Sequence, residues 1–340
     1  MRSPRTALVA IVAIALAAAD GAGARYLLFP GNSVPSLAHE LIAAARFPGV
    51  AARLAAAEPA YVAPLPTGLA RGVLMPWRVG IQSGHWKVAA LPDEQARLRG
   101  DTGAQWGALH EVDVNLAVAR RVASDLLRAG VDVDLLPATV PMGYDADALV
   151  AIHADDGGGS DLRGWKVSAP WRASEGSRAL RDNLSRVYGA LSGLPLDRYG
   201  VTYNMLGYYG FSWNRFAHAA APATPCAIIE TGYLTSAADR TVIVDDPDRV
   251  ASAVSLGILS YLAQRGGMGP ADLVPVSLPP MVVATDEAVV RALPREDERV
   301  VTRLPAGTRV RPFGIENGWV DFVVFGNFRM FGWIQEDDLR

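Results

Sequence analysis

The chain has 340 residues, 50% of them hydrophobic and 20% charged, a composition that supports a sizeable core and argues against a disordered chain. Its 32 basic and 35 acidic residues leave a net charge of −3, and no long Lys/Arg run is available to grip a phosphate backbone, which argues against nucleic acid as a partner. The single cysteine, Cys226, excludes an intramolecular disulfide.

Residues 1–24 come first. Arg2 and Arg5 precede an apolar run from Ala7 to Ala19, Asp20 closes it, and Ala22-Gly23-Ala24 forms a small-residue cleavage site. The run is shorter than the ~20 residues of a membrane-spanning helix, so a secretory signal peptide is expected, with no stable membrane span after its cleavage. Export without disulfides suits a bacterium, with the mature chain secreted to the cell wall or periplasm. Residues 25–76, rich in Ala and Pro, are expected to be a linker with one docking helix at "SLAHELIAAARF".

From about Val79 to Arg265 strand-like runs alternate with helical periodicity, which predicts an α/β domain over residues 77–265 with a mostly parallel open sheet flanked by helices. The strands are "WRVGIQSG", "GVDVDLLP", "ALVAIHAD" and "PCAIIETG", mostly apolar and therefore buried on both faces. One helix is read from Val112, Leu116, Ala119, Val122, Ala123 and Leu126. A second follows from Leu180, Leu184, Val187, Tyr188 and Leu191, and a third from Val250, Val254, Ile258 and Tyr261. Asp246 is the expected N-cap of the third, with Pro247 at its first position. Residues 266–280, "GGMGPADLVPVSLPP", read as a linker. Residues 281–340 alternate β-branched and polar residues around an Asn317-Gly318 hairpin turn, which predicts a small all-β, barrel-like domain.

The chemistry is suggested by where polar residues fall on these strands. His85, His153 and Glu230 each stand at the carboxyl end of an apolar run, the edge where open α/β sheets bind ligands. Desolvating two imidazoles and a carboxylate together is costly unless they hold something charged. Two neutral imidazoles, one carboxylate and a water make the tetrahedral set of a catalytic zinc ion, and a second carboxylate is then needed to move a proton. Glu111, opening a helix, and Glu230 are the candidates.

Competing signatures fail. In "ALHEVDVNL" the His-Glu-x-x-His pattern needs histidine where Val114 stands. "GGGSDLRG" around Ser160 is no Gly-x-Ser-x-Gly elbow, and no dinucleotide or P-loop fingerprint occurs. Cys226, followed by Ala227, Ile228 and Ile229, reads as a small core residue.

"SGHW" around His85, "EVDVNLAVARRV" from Glu111, "AIHAD" around His153 and "AIIETGYLTS" around Glu230 resemble, in order, the four motifs of the zinc-dependent N-acetylmuramoyl-L-alanine amidases of the AmiC-like class. The resemblance covers roughly residues 77–265. It implies one zinc ion per catalytic domain on His85, Glu111 and His153, with Glu230 as catalytic acid/base. It also implies a peptidoglycan hydrolase, of autolysin type, that cuts between N-acetylmuramic acid and the L-alanine of the stem peptide. The family usually writes Asp-Pro-Gly-His-Gly-Gly at the first ligand, where this chain has Gln82-Ser83-Gly84-His85-Trp86-Lys87. The usual Ser-Ile-His-Ala-Asn is Ala151-Ile152-His153-Ala154-Asp155. Trp86 either stacks on a sugar or caps the sheet, and His110 becomes a bystander. Alternatives are a non-catalytic wall-binding protein with an idle domain, or a zinc peptidase acting on other peptides. Residues 281–340 resemble a bacterial Src-homology-3-like domain through "AVVRALPREDERVVTRLPAGTRVRPFGIENGWVDF" and "GWIQEDDL". Such domains often bind wall peptides, so Trp319 and Trp333 are either contacts or core aromatics.

Overall fold

Each of the four runs becomes one strand of a parallel sheet; three are buried on both faces as expected, whereas 132–136 lies at the sheet edge with only Leu136 buried, because an edge strand has cover from one neighbour alone. The computed structural model describes residues 76–158 and 162–340, and the expected signal peptide and docking helix lie outside the described residues. Arg78–Ser83 (β1) is followed by a small hairpin of Gln105–Trp106 (β2) and Leu109–His110 (β3). Asp132–Leu136 (β4), Ala148–Asp155 (β5), Lys166–Ser168 (β6) and Cys226–Tyr233 (β7) come next. The sheet order is β4-β1-β5-β7-β6, parallel except for β6, an edge strand too short to leave a signal in the sequence.

Side-chain alternation divides the core. Val79, Ile81, Val150, Ile152, Ala227 and Ile229 face the long helices Glu111–Arg128 (α1), Glu175–Leu191 (α2) and, after the short Tyr203–Leu206 (α3) and Ala237–Ile243 (α4), Pro247–Arg265 (α5). Leu149, Ala151 and Ile228 face the other way, onto Tyr144, Met205, Tyr208 and Phe211. The expected cap of α5 forms: Asp246 accepts from the Arg249 N–H, and Pro247 opens the helix.

The phase of α1 differs from the sequence expectation. Val112 and Leu116 are only partly buried, and the face against the sheet is Glu111, Val114, Asn115 and Val118. Those four share one side at 3.6 residues per turn, but two are polar, and a count of apolar positions passes over them.

The C-terminal strands are Met281–Val282 (β8), Ala288–Arg291 (β9), Val300–Leu304 (β10), Arg309–Glu316 (β11), Trp319–Val324 (β12) and Asn327–Gln335 (β13). They form an antiparallel sheet, β10-β9-β13-β12-β11-β8, over a separate core that includes Val290, Val310, Val320, Phe322 and Ile334. The β11–β12 turn is the expected one, with Asn317 and Gly318 both at positive φ, 50° and 78°. The two domains meet where Trp171 packs 4.5 Å from Phe313 and where Arg198 and the Tyr199 hydroxyl (3.0 Å) bind the Glu298 carboxylate.

Candidate active site

β1 and β5 end side by side, and Gly84 N–H continues the ladder by donating to Ile152 C=O at 3.0 Å. His85 then turns out of the sheet at φ 61°, a left-handed conformation uncommon for a residue with a Cβ and concentrated at functional sites. His153 projects from β5 to the face opposite the long helices, and Glu230, its register partner on β7, projects to the same face. Glu111, first residue of α1, is only 4% exposed and lies between the two imidazoles. Its Oε1 is 2.9 Å from His153 Nδ1, and its Oε2 is 3.3 Å from His85 Nε2.

Each of these groups is held from behind. Glu111 Oε2 accepts from Ala104 N–H at 2.7 Å, and Oε1 accepts from the Asn115 side chain at 2.9 Å and Ala154 N–H at 3.3 Å. Asn115 also donates to Gly84 C=O at 3.3 Å, which ties the helix to the His85 loop. His153 Nε2 is 3.1 Å from the Tyr208 hydroxyl, and Thr231 Oγ1 donates to its backbone carbonyl at 2.9 Å. Two glycines make the approach possible. A Cβ on Gly84 would stand 2.4 Å from His153 Cε1, and one on Gly103, at φ 79°, would stand 2.3 Å from Glu111 Oε2.

The donor set fits a divalent metal. One ligand atom from each of His85, Glu111 and His153 lies within 4.8 Å of the others. His85 Nδ1 is 2.7 Å from the Asp101 carbonyl, and as its donor it leaves the Nε2 lone pair directed at Glu111 Oε2. Two lone pairs in contact need a cation between them, either a proton or a metal ion. A backbone carbonyl behind the outer ring nitrogen is also the usual support of a metal-bound histidine. Without a metal the proton serves: burial opposes the His85 charge, but the hydrogen bond and charge of Glu111 outweigh it and push the pKa up to about 9. Burial likewise opposes the Glu111 charge, yet both imidazoles hold its carboxyl well below the usual range.

Glu230 is in the opposite situation. As a whole the residue is only partly buried, but its Oε2 is fully buried and has no hydrogen-bond partner among the described residues. Burial pushes its pKa well up, the negative charges of Glu111 and Asp155 push it further, and Lys166 opposes them. Lys166, opposite Glu230 in register on β6, is 2% exposed. Its ammonium donates to Asp155 and to the Tyr233 hydroxyl (2.5 Å), and that hydroxyl donates to Asp197 Oδ2 at 2.5 Å. One cation between two carboxylates thus flanks Glu230.

His85, Glu111 and His153 therefore meet, and Glu230 stands beside them as the register partner of His153 on the neighbouring strand. His110, the N-cap residue of α1, is exposed and lies outside the cluster. Cys226 is 3% exposed, donates to Thr224 C=O, and has its thiol pKa pushed up by burial, as a core residue should. Trp319 is buried at 8%, whereas Trp333 and Trp86 are partly buried, Trp86 with the Lys87 ammonium 4.8 Å from its ring. Asn115, Tyr208 and Lys166 are not singled out by the sequence. Asn115 alone leaves a signal there, one helical turn after Glu111.

Comparison with known proteins agrees on the region concerned. The family model for Amidase_3, N-acetylmuramoyl-L-alanine amidase, matches residues 81–260. No curated protein matches the chain. Among solved structures, an N-acetylmuramoyl-L-alanine amidase from Clostridium difficile 630 is 20% identical, with 57% of this chain and 99% of that one covered and a TM-score of 0.42. The amidase Ami1 from Mycobacterium abscessus is 21% identical, covering 56% and 100% at a TM-score of 0.42. The catalytic domain of CwlV from Bacillus (Paenibacillus) polymyxa var. colistinus is 21% identical, covering 55% and 98% at 0.39.

Proposed function

The chain belongs to the Amidase_3 family of N-acetylmuramoyl-L-alanine amidases, and from that premise we propose that it hydrolyses the amide between N-acetylmuramic acid and L-alanine in peptidoglycan, with zinc held by His85, Glu111 and His153 and with Glu230 as acid/base. The observation that carries this reading is a His-Glu-His cluster, with Glu111 and His153 buried and His85 partly so, next to an unpartnered carboxylate oxygen on the neighbouring strand. When bound, zinc supplies a fixed positive charge for the developing oxyanion and lowers the pKa of a water.

The rest belongs to the chain. Glu111 and the two imidazoles provide one anionic and two neutral donors, and Asn115, the Asp101 carbonyl and the Ala104 and Ala154 N–H groups fix their orientation. Glu230 Oε2 takes the proton of the attacking water as the new C–O bond forms, and gives it to the alanine nitrogen as the C–N bond breaks. A carboxylate whose proton affinity is raised by burial and by like charges suits both halves of that transfer. The expected place of action is the bacterial wall, with residues 1–24 as export signal and residues 281–340 as a Src-homology-3-like wall-binding module. No helix of the described residues is long and apolar enough to cross a membrane.

The test is digestion of purified sacculi followed by mass spectrometry of the products. Peptides with a free alanine amino terminus, released only with metal present and lost in Glu230→Gln, are expected. Wall binding without cleavage by the zinc-loaded protein would instead assign an idle domain, and cleavage within the stem peptide would assign a peptidase.

A further inference from the structure

A concave feature lies away from this cluster, at the seam between the two domains. It is a cavity of 480 Å³, within the range of small-ligand sites, which favour domain interfaces. Cys226, the first residue of β7 and four before Glu230, lines it. Four residues at ~3.3 Å each put that wall about 13 Å from the acid/base.

The lining is one-sided in charge. It contains Arg172 from the α/β domain, Arg215 from the loop after α3, and Arg311 from β11, and it contains no Asp or Glu. None of the three guanidiniums is within ion-pair range of a carboxylate among the described residues, although the chain as a whole is acidic; Arg215 and Arg311 rest instead on the rings of Phe216 at 4.9 Å and Phe325 at 4.8 Å, contacts that leave the edge N–H groups to donate. The wall between them is aromatic: Trp171 is clamped by Phe313 at 4.5 Å, Phe331 at 5.6 Å and Tyr203 at 5.8 Å. Gly207 leaves room for that ring, since a Cβ there would stand 3.3 Å from the Trp171 indole nitrogen.

We infer that this seam cavity binds a short peptide bearing carboxylate side chains, with Arg172 and Arg311 contributed by different domains. A guanidinium only donates and a carboxylate only accepts, so three guanidiniums without a carboxylate of their own match acidic side chains. A neutral sugar brings hydroxyl donors and meets no charged acceptor in this lining. The aromatic wall suits the apolar parts of the peptide, and the Asn214 side-chain amide can pair with its backbone. The inference rests on charge and shape and holds whether or not the His-Glu-His cluster is hydrolytic.

The test is isothermal titration calorimetry on the full chain in chelator, so that no metal binds the carboxylates, with acetyl-Glu-Glu-amide and acetyl-Gln-Gln-amide as probes. The acidic probe is expected to bind at least about tenfold more tightly than its amide counterpart and to weaken as salt is raised. The double variant Arg172→Gln/Arg311→Gln is expected to lose about tenfold in affinity. Arg215→Gln, at an exposed residue whose guanidinium touches only the neighbouring Phe216 ring among the described aromatic rings, is expected to lose about threefold and stands in should the double variant unfold. Equal binding of the two probes, no binding at millimolar concentration, undiminished binding by the folded variants, or a preference for chitotetraose would each overturn the inference.

Discussion

Glu111 and His110 are adjacent in sequence and opposite in environment, which makes them the sharpest test of the proposed metal site. Both oxygens of Glu111 are held by N–H donors while facing an imidazole, whereas His110 is exposed. Glu111→Ala is therefore expected to abolish bound zinc, measured by inductively coupled plasma mass spectrometry, and His110→Ala to retain it. Retention of zinc by Glu111→Ala would exclude the proposed ligand set. Glu230→Gln is expected to keep its zinc while kcat falls by about 10²- to 10⁴-fold, the usual contribution of a positioned acid/base. Gly84 is the subtler case. A methyl group 2.4 Å from His153 Cε1 has to displace either the ring or the β1–β5 junction, so Gly84→Ala is expected to weaken zinc binding with no change in charge or hydrogen-bonding groups.

At the scale of elements, α1 links the sheet to the site. Asn115 ties Glu111 to the carbonyl of Gly84, so one side chain fixes both the helix and the His85 loop. Asn115→Ala is expected to cost about 10- to 100-fold in zinc affinity, read by competition with a chelating dye, because supporting groups of this kind carry that much. Full affinity in the variant would reduce Asn115 to a packing residue. This contact shows where sequence reading succeeds and where it stops. The placement of His153 and Glu230 at the carboxyl ends of two apolar strands is legible in the sequence, and turn and cap chemistry finds Asn317-Gly318 and Asp246-Pro247. The apolar count for α1 favours Val112 and Leu116 because it excludes Glu111 and Asn115, the two polar residues on the buried face. Tyr208 and Asp197 lie in irregular segments and meet His153 and Tyr233 only through the fold, so no local pattern announces them.

At the scale of the whole molecule, the seam stores a charge that pH can release. Asp321 on β12 is only partly exposed as a residue, and its Oδ1 is fully buried without a hydrogen-bond partner among the described residues. Burial raises its pKa from 3.8 to about 6, against the opposing charges of Arg178 and Arg181 on α2 and with support from Glu316 on β11. Between those two values the folded chain keeps a proton that the unfolded chain has released. The resulting stabilisation is therefore full below about pH 4 and is lost as pH rises through about 6. Its size is on the order of 2 kcal/mol at most, since part of the residue reaches water. Urea unfolding of the metal-free chain, followed between pH 4 and 7, is expected to show the stability of wild type relative to Asp321→Asn falling as pH rises, because Glu230 and Glu111, whose carboxyls the fold also shifts, titrate alike in both chains and cancel in the comparison. An Asn variant that keeps the wild-type slope would place the ionisation elsewhere. A relative stability that falls over this range would show that the β domain is docked through a carboxyl group more stable protonated than charged, with Arg178 and Arg181 too weakly placed to reverse that preference.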